Sequence, residues 1–238
     1  MPQIEIAKNP DELSERAAEL FLEIASVAIE KRGDFAVALS GGSTPRALYR
    51  KLVTAAIDWS RVFFFFGDER NVLPTDEKGN FRMADDTLFS FLPLDDNSVY
   101  RWHTEIGVPE KVANDYGERV KMFFRGYPRF DLVVLGLGSD GHTASLFPNT
   151  AAARERSEFA AANWVETLNE YRFTMTFPVI NNAANVIFLV SGKEKAPILK
   201  KVLENHIPPP LPAQLVQPTD GRLVWLIDEP AAALLDKH

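Results

Sequence analysis

A few short runs of uninterrupted apolar residues constrain this chain more than any other feature. They are Phe35–Leu39, Val62–Phe66, Leu132–Leu135 and residues 186–190, with 223–227 as a fifth. Each is four or five residues long and flanked by Gly, Asp or Ser. That length suits a strand rather than a helix. A strand that is apolar at every position, not at every second one, is covered on both faces, as in a parallel sheet. Helical spacing fills the intervals, at about 80–91, 109–125 and 193–204. The first helix has both its signals. Asn9 caps it, Pro10 takes the first helical position, Asp11 and Glu12 face the positive end of its dipole, and Lys31-Arg32-Gly33 closes it. Another helix opens at Pro45 and runs to about Ala56. Strands alternating with helices predict an α/β fold: one domain over 1–238, with a doubly wound, mostly parallel, Rossmann-like sheet and helices on both faces. Residues 172–177 alternate polar and apolar, which predicts a half-exposed or edge strand. Pro208-Pro209-Pro210 and Pro212 mark an irregular crossing rather than a linker, because the fifth apolar run still follows.

In such a sheet, ligands bind beyond the carboxyl ends of the strands. The polar, glycine-rich clusters of this chain fall at those ends. Ser40-Gly41-Gly42-Ser43-Thr44-Pro45 lies between a strand and a helix start. Its glycines let backbone N–H groups approach an anion, its hydroxyls add donors, and the helix end adds partial positive charge. A phosphate monoester fits this description, and so does a plain tight turn with Thr44 as cap. The lysine of a Walker A loop is missing. Gly136-Leu137-Gly138-Ser139-Asp140-Gly141 spells a dinucleotide fingerprint, but Pro148 interrupts the helix that should follow, and Asp140 and His142 would crowd a pyrophosphate. The chemical reading of that loop is Asp140-Gly141-His142. Imidazole is the common side chain suited to taking and returning a proton near neutral pH.

Gly67-Asp68-Glu69-Arg70 ends the four-phenylalanine run, so its charges are expected to face solvent or a cleft. There Arg70 would meet a phosphate or an oxyanion, and Asp68 would hold His142 or Arg70. Lys195, one turn into the helix after Ser191-Gly192, would reach back to an anion. Arg172 would do so from its strand or remain a surface cation. His103, His206 and His238 sit in no patterned context.

Several classes are excluded or disfavoured. The chain has no cysteine, which removes disulfides, thiolate metal sites and thiol nucleophiles. No histidine–carboxylate spacing resembles a zinc site, and no serine lies in G-x-S-x-G, so neither metal nor cofactor is expected. Lys+Arg 26 against Asp+Glu 33 leaves a formal net charge of −7, which disfavours nucleic acid. No secretory signal opens the sequence and no stretch reaches the ~18 apolar residues of a membrane span, so the expected location is cytoplasmic.

Taken together, these stretches resemble the 6-phosphogluconolactonase family. The resemblance rests on residues 38–45, 67–70, 80–84 and 135–148, then on 172–176, Ser191-Gly192 with Lys195-Ala196, and Pro212-Ala213-Gln214. It runs in order through nearly the whole chain. The segment Gly138-Ser139-Asp140-Gly141-His142-Thr143-Ala144-Ser145-Leu146-Phe147-Pro148 is its most specific part, with Ser139 in a place where relatives carry another residue. The resemblance implies hydrolysis of 6-phospho-D-glucono-1,5-lactone to 6-phosphogluconate, in the oxidative pentose phosphate pathway, on a fold shared with glucosamine-6-phosphate deaminases. On this reading His142 is the general base, and Asp68 and Asp140 position it. Arg70 or loop N–H groups meet the oxyanion. Ser40, Gly41, Gly42, Ser43 and Thr44 bind the phosphate with Lys195 and Arg172.

Two alternatives are set against it. A deaminase of this kind carries a Glu five residues after the histidine, where this chain has Phe147. A sugar-phosphate sensor would carry a helix-turn-helix ahead of the first helix, and none is expected before Pro10. A further departure, Ala184 where many relatives have Arg, has no evident consequence.

Overall fold

The structure is a computed structural model that describes residues 2–205 and 208–236. In chain order its elements are β1 (Gln3–Ala7), α1 (Pro10–Arg32), β2 (Phe35–Leu39), α2 (Ser43–Leu52), β3 (Val62–Phe66), β4 (Asp68–Arg70), α3 (Asn80–Thr87), β5 (Val99–Tyr100), α4 (Pro109–Phe124) and β6 (Leu132–Leu135). They continue with β7 (Ala160–Val165), β8 (Glu170–Met175), α5 (Phe177–Ile180), β9 (Asn185–Val190), α6 (Ala196–Glu204), β10 (Arg222–Asp228) and α7 (Glu229–Ala232).

The five apolar runs are β2, β3, β6, β9 and β10. With β1 and β5 they form a seven-stranded sheet in the order β1-β10-β9-β6-β2-β3-β5, parallel at every pairing. Every residue of β2 and of β6 is buried, so both faces are covered, as the unbroken apolar runs require. Aromatic packing supplies much of that cover. Phe65 stacks on Tyr100 with centroids 4.4 Å apart and meets Phe123 and Phe130 edge-on, an arrangement aromatic quadrupoles favour. Asn9 caps α1 by accepting from the N–H groups of Asp11 and Glu12, both at 3.0 Å.

Strand order places the site. The chain builds outward from β2 to β3 and β5, then returns to lay β6 on the other side of β2 and continues to β9 and β10. The reversal leaves a crevice between the carboxyl ends of β2 and β6. The loops that follow those two strands are residues 40–42 and 136–142. Buried tyrosines pin the chain where it leaves the sheet. The Tyr49 hydroxyl accepts from Ser40 N–H at 3.0 Å and donates to Ser40 C=O at 2.7 Å. Tyr116 treats Phe66 at the end of β3 in the same way, at 2.9 and 2.8 Å. Burial raises both phenols.

A second sheet differs from expectation. It has three antiparallel strands in the order β4-β8-β7. The alternating stretch at 172–177 is therefore not an edge. β8 is the central strand of that sheet, and Phe177 already belongs to α5. The Asp68-Glu69-Arg70 cluster forms a short strand, and Asp68 and Glu69 are buried. Helix α2 begins at Ser43, two residues before Pro45, and ends at Leu52. Proline at the third helical position is tolerated because first-turn N–H groups have no intrahelical partner in any case. No helix among the described residues is long and apolar enough to cross a membrane.

Candidate active site

A cleft of about 370 Å³ opens at the crevice between β2 and β6. It is lined by Ser40, Gly41 and Gly42, by Asp68, Arg70 and Asn80, by Gly136 to Ser139 with His142, by Ala144, Ser145 and Phe147, and by Arg172 and Lys195.

His142 is half-buried and fixed on two sides. Its Nδ1 lies 2.6 Å from Asp140 Oδ1, which also accepts the His142 backbone N–H at 3.0 Å. One face of its ring stacks on Phe147, with centroids 4.1 Å apart. With Nδ1–H donating to Asp140, Nε2 is left as the basic nitrogen. Burial pushes the Asp140 carboxyl up, but the N–H and the charge of His142 more than offset this and hold it below its usual value. Asp140 itself does not line the cleft; it stands behind the imidazole. The loop is braced from outside: Thr143 Oγ1 donates to Gly136 C=O, and Ala213 N–H, in the proline-rich crossing, donates to Gly141 C=O.

Gly138 is a glycine because of this ring. A methyl group there would overlap the His142 imidazole. Gly138→Ala is therefore expected to push the imidazole off Asp140, lowering turnover by about tenfold or more through misplacement alone. Steady-state kinetics alongside a thermal melt would separate this from simple unfolding.

The other side of the cleft is cationic. Arg70 and Arg172 lie directly opposite each other across β4 and β8. Like charges in that position oppose pairing unless an anion compensates. Arg172 pairs with Glu170, whose carboxylate lies 2.9 Å from its Nε. Among the described residues Arg70 makes no ion pair; its Nη1 donates to Asn80 Oδ1 and, at 3.2 Å, to Lys78 C=O. Gly41 lies against this pair, and a methyl group there would overlap Asn80 Oδ1 and come within 2.9 Å of Arg70 Nη1. Arg70 is thus held at the serine–glycine loop. The Ser40 hydroxyl in that loop is buried and has no hydrogen-bond partner among the described residues, although its residue lines the cleft. A buried hydroxyl without a partner is costly, and a ligand oxygen would remove the cost. Lys195 Nζ, on the opposite wall, donates to Leu137 C=O at 2.8 Å.

Three expectations need correction. Asp68 does not hold His142. Its carboxylate accepts from Ser145 Oγ at 2.7 Å and Asn80 Nδ2 at 3.1 Å, and among the described residues no hydrogen bond joins it to the imidazole. Ser43 and Thr44 do not line the cleft; they are the first two residues of α2, and Thr44 is not its cap. Glu69 faces neither solvent nor the cleft. Its carboxylate accepts the backbone N–H groups of Arg70, Asn80 and Phe81 at 2.8, 2.6 and 2.8 Å, standing in for a cap on α3.

Burial raises the Glu69 carboxyl to about 7 from the usual 4.5, with those three N–H groups pulling the other way. An acid raised on folding keeps its proton between the two values while the unfolded chain loses it, so its contribution to stability falls as pH rises across that window. In Glu69→Gln this loss is absent. The stability of wild type relative to the variant should fall by on the order of 2–3 kcal/mol between pH 4.5 and 8, which urea unfolding at several pH values would measure.

Sequence reading missed Asn80, Ser145 and the stacking of Phe147. Asn80 follows Gly79 at a helix start and reads as an ordinary terminus. Among the described residues no group of three or more His, Asp or Glu is placed to hold a metal ion. His103 pairs with Asp115 at 2.9 Å, and His206 and His238 lie outside the described residues.

Comparison with known proteins shows the family and the fold. A family model described as glucosamine-6-phosphate isomerases/6-phosphogluconolactonase matches residues 8–225. The chain is 36% identical over 235 residues to a 6-phosphogluconolactonase of Synechocystis, covering 97% of each, and 37% identical over 248 residues to that of Bos taurus, covering 99% of this chain and 96% of that one. A solved 6-phosphogluconolactonase from Trypanosoma cruzi superposes with a TM-score of 0.90 at 28% identity, covering 100% of this chain and 98% of that one. This chain belongs to the glucosamine-6-phosphate isomerase/6-phosphogluconolactonase family.

Proposed function

We propose that this protein is a 6-phosphogluconolactonase that opens 6-phospho-D-glucono-1,5-lactone with water as the nucleophile. The observation that carries the reading is one cleft with a cationic, hydroxyl-bearing wall and an oriented imidazole. Arg70 and Arg172 lie opposite each other in the cleft that Ser40 lines, the Ser40 hydroxyl has no partner among the described residues, and His142 stands on Asp140 through Nδ1, which leaves Nε2 as its basic nitrogen. Phosphate at the β2 loop, the N-terminal end of α2 and Arg70 would leave the sugar ring directed into the cleft. Arg172 and Lys195 add positive charge to the same cleft, Arg172 beside Arg70 and Lys195 from the residues just before α6, with its Nζ on Leu137 C=O.

His142 Nε2 takes a proton from water as the water oxygen adds to C1. N–H groups of the 136–142 loop meet the oxyanion. The C1–ring oxygen bond then breaks, and the imidazolium returns the proton to the departing oxygen. The Asp140 carboxylate stands behind the ring, so the positive charge that develops on it is already opposed. Phe147 supports the lactonase over an ammonia-releasing isomerase, because an apolar ring occupies the place beside His142 where the latter reading needs a carboxylate.

The test is a coupled assay with freshly generated lactone, corrected for spontaneous opening. Catalysed opening without ammonia release from glucosamine 6-phosphate supports the reading. Ammonia release, or binding of 6-phosphogluconate without turnover, overturns it in favour of the isomerase or the sensor.

A further inference from the structure

Asp68 and Arg70 are two residues apart on β4, so their side chains leave the same face of the strand. An acid and a base so placed, in a part-buried site, are expected to pair with each other. They do not: among the described residues neither forms an ion pair. The side chain of Asn80 stands between them. Its Oδ1 accepts from Arg70 Nη1. Its Nδ2 donates to Asp68 Oδ1 at 3.1 Å and to Asp68 C=O at 2.8 Å. Its backbone N–H donates to Glu69, so all three residues of β4 are tied to it. Asn80 is fully buried although it lines the cleft, and Gly41 presses on its oxygen.

A primary amide suits this place. It is neutral, and its two ends carry opposite polarity, oxygen toward the cation and NH₂ toward the anion. Aspartate would offer no donor to Asp68. A shorter side chain would not reach both groups.

We propose that Asn80 is a positioning residue that keeps Arg70 and Asp68 from neutralising each other, so that the guanidinium stays free for the substrate's phosphate. The proposal rests on the assignment of Arg70 to the phosphate. Without Asn80, the guanidinium falls onto the Asp68 carboxylate. Any incoming anion must then break that pair, and the acid left beside it repels the phosphate. The loss of phosphate affinity on removing Asn80 therefore depends on the charge of Asp68. A residue that merely shaped the cleft would show no such dependence.

The experiment is a double-mutant cycle on 6-phosphogluconate binding by calorimetry at low salt, with inorganic phosphate as a second probe. The proteins are wild type, Arg70→Ala, Asn80→Ala, Asp68→Asn and Asn80→Ala/Asp68→Asn, with folding checked by circular dichroism. Arg70→Ala should weaken binding by about tenfold or more, as loss of a charged hydrogen bond does. Asn80→Ala should do the same in the wild-type background, yet cost under about threefold when Asp68 is already Asn. If Asn80→Ala does not fold, Asn80→Ser carries the same two expectations. Equal losses in both backgrounds, or no loss in either, overturn the role of Asn80 while leaving Arg70 as the phosphate ligand. Unchanged binding in Arg70→Ala overturns the phosphate assignment, and the proposal with it.

Discussion

Replacing His142 with alanine is expected to lower kcat for lactone opening by about 10²–10⁴-fold, the usual contribution of one general base. Affinity for 6-phosphogluconate should change by less than about tenfold, because the phosphate is assigned to the far wall of the cleft. The size of the effect follows from what fixes the ring. Asp140 holds Nδ1 at 2.6 Å and Phe147 covers one face, so Nε2 has a defined direction. The substitution opens space beside an apolar ring and leaves Asp140 exposed to solvent, with no buried group orphaned. Stability should therefore hardly change, and a thermal melt would check it. Stopped-flow measurement with spontaneous opening subtracted reads the rate. Near-normal turnover would remove His142 as the base.

Arg70→Ala should produce the second large effect, on discrimination rather than on the chemical step. Loss of a charge-assisted phosphate contact of 1.5–3 kcal/mol corresponds to a rise in KM of about 10- to 100-fold for the phosphorylated lactone. For unphosphorylated glucono-1,5-lactone, kcat/KM should stay within about threefold, because that substrate has nothing for the guanidinium to hold. The ratio of the two specificity constants is the informative quantity. An equal fall for both substrates would mean that Arg70 serves the reacting carbonyl and not the phosphate.

The major sheet was legible because its evidence is dense. Five runs, each apolar at every position, admit little except buried parallel strands, and the glycine-rich clusters that follow them had to lie at the strand ends. That alone brought Ser40 and His142 toward one crevice. The minor sheet was not legible, for physical reasons. β4 is only three residues long and wholly polar, so it carries no periodicity. β8 alternates as an edge strand would, yet it is central; β4 and β7 flank it, and α4 packs against both β7 and β8. β1 carries Ile4 and Ile6 exposed on the sheet's edge, a pattern too weak to read alone.

The site shows the same division. Types that advertise chemistry, His142, Asp140, Arg70 and Lys195, could be picked from the sequence. Asn80 and Ser145 could not, because their work is to bond Arg70 and Asp68, and those partnerships depend on a strand pairing the sequence did not reveal. Asp68 was placed on the wrong partner for that reason. The short distance along the chain from Asp140 to His142 made their pairing readable, whereas the 77 residues between Asp68 and Ser145 did not.

The central claim is that one cleft anchors the phosphate on the β2 loop while presenting the imidazole to C1 of the sugar. The structure of this protein with 6-phosphogluconate bound tests it most directly. The account predicts the phosphate within hydrogen-bond distance of Arg70 Nη and the Ser40 hydroxyl, and the C1 carboxylate next to His142 Nε2. A product bound in the reverse sense, with its phosphate on His142, or bound away from the crevice between β2 and β6, would contradict it.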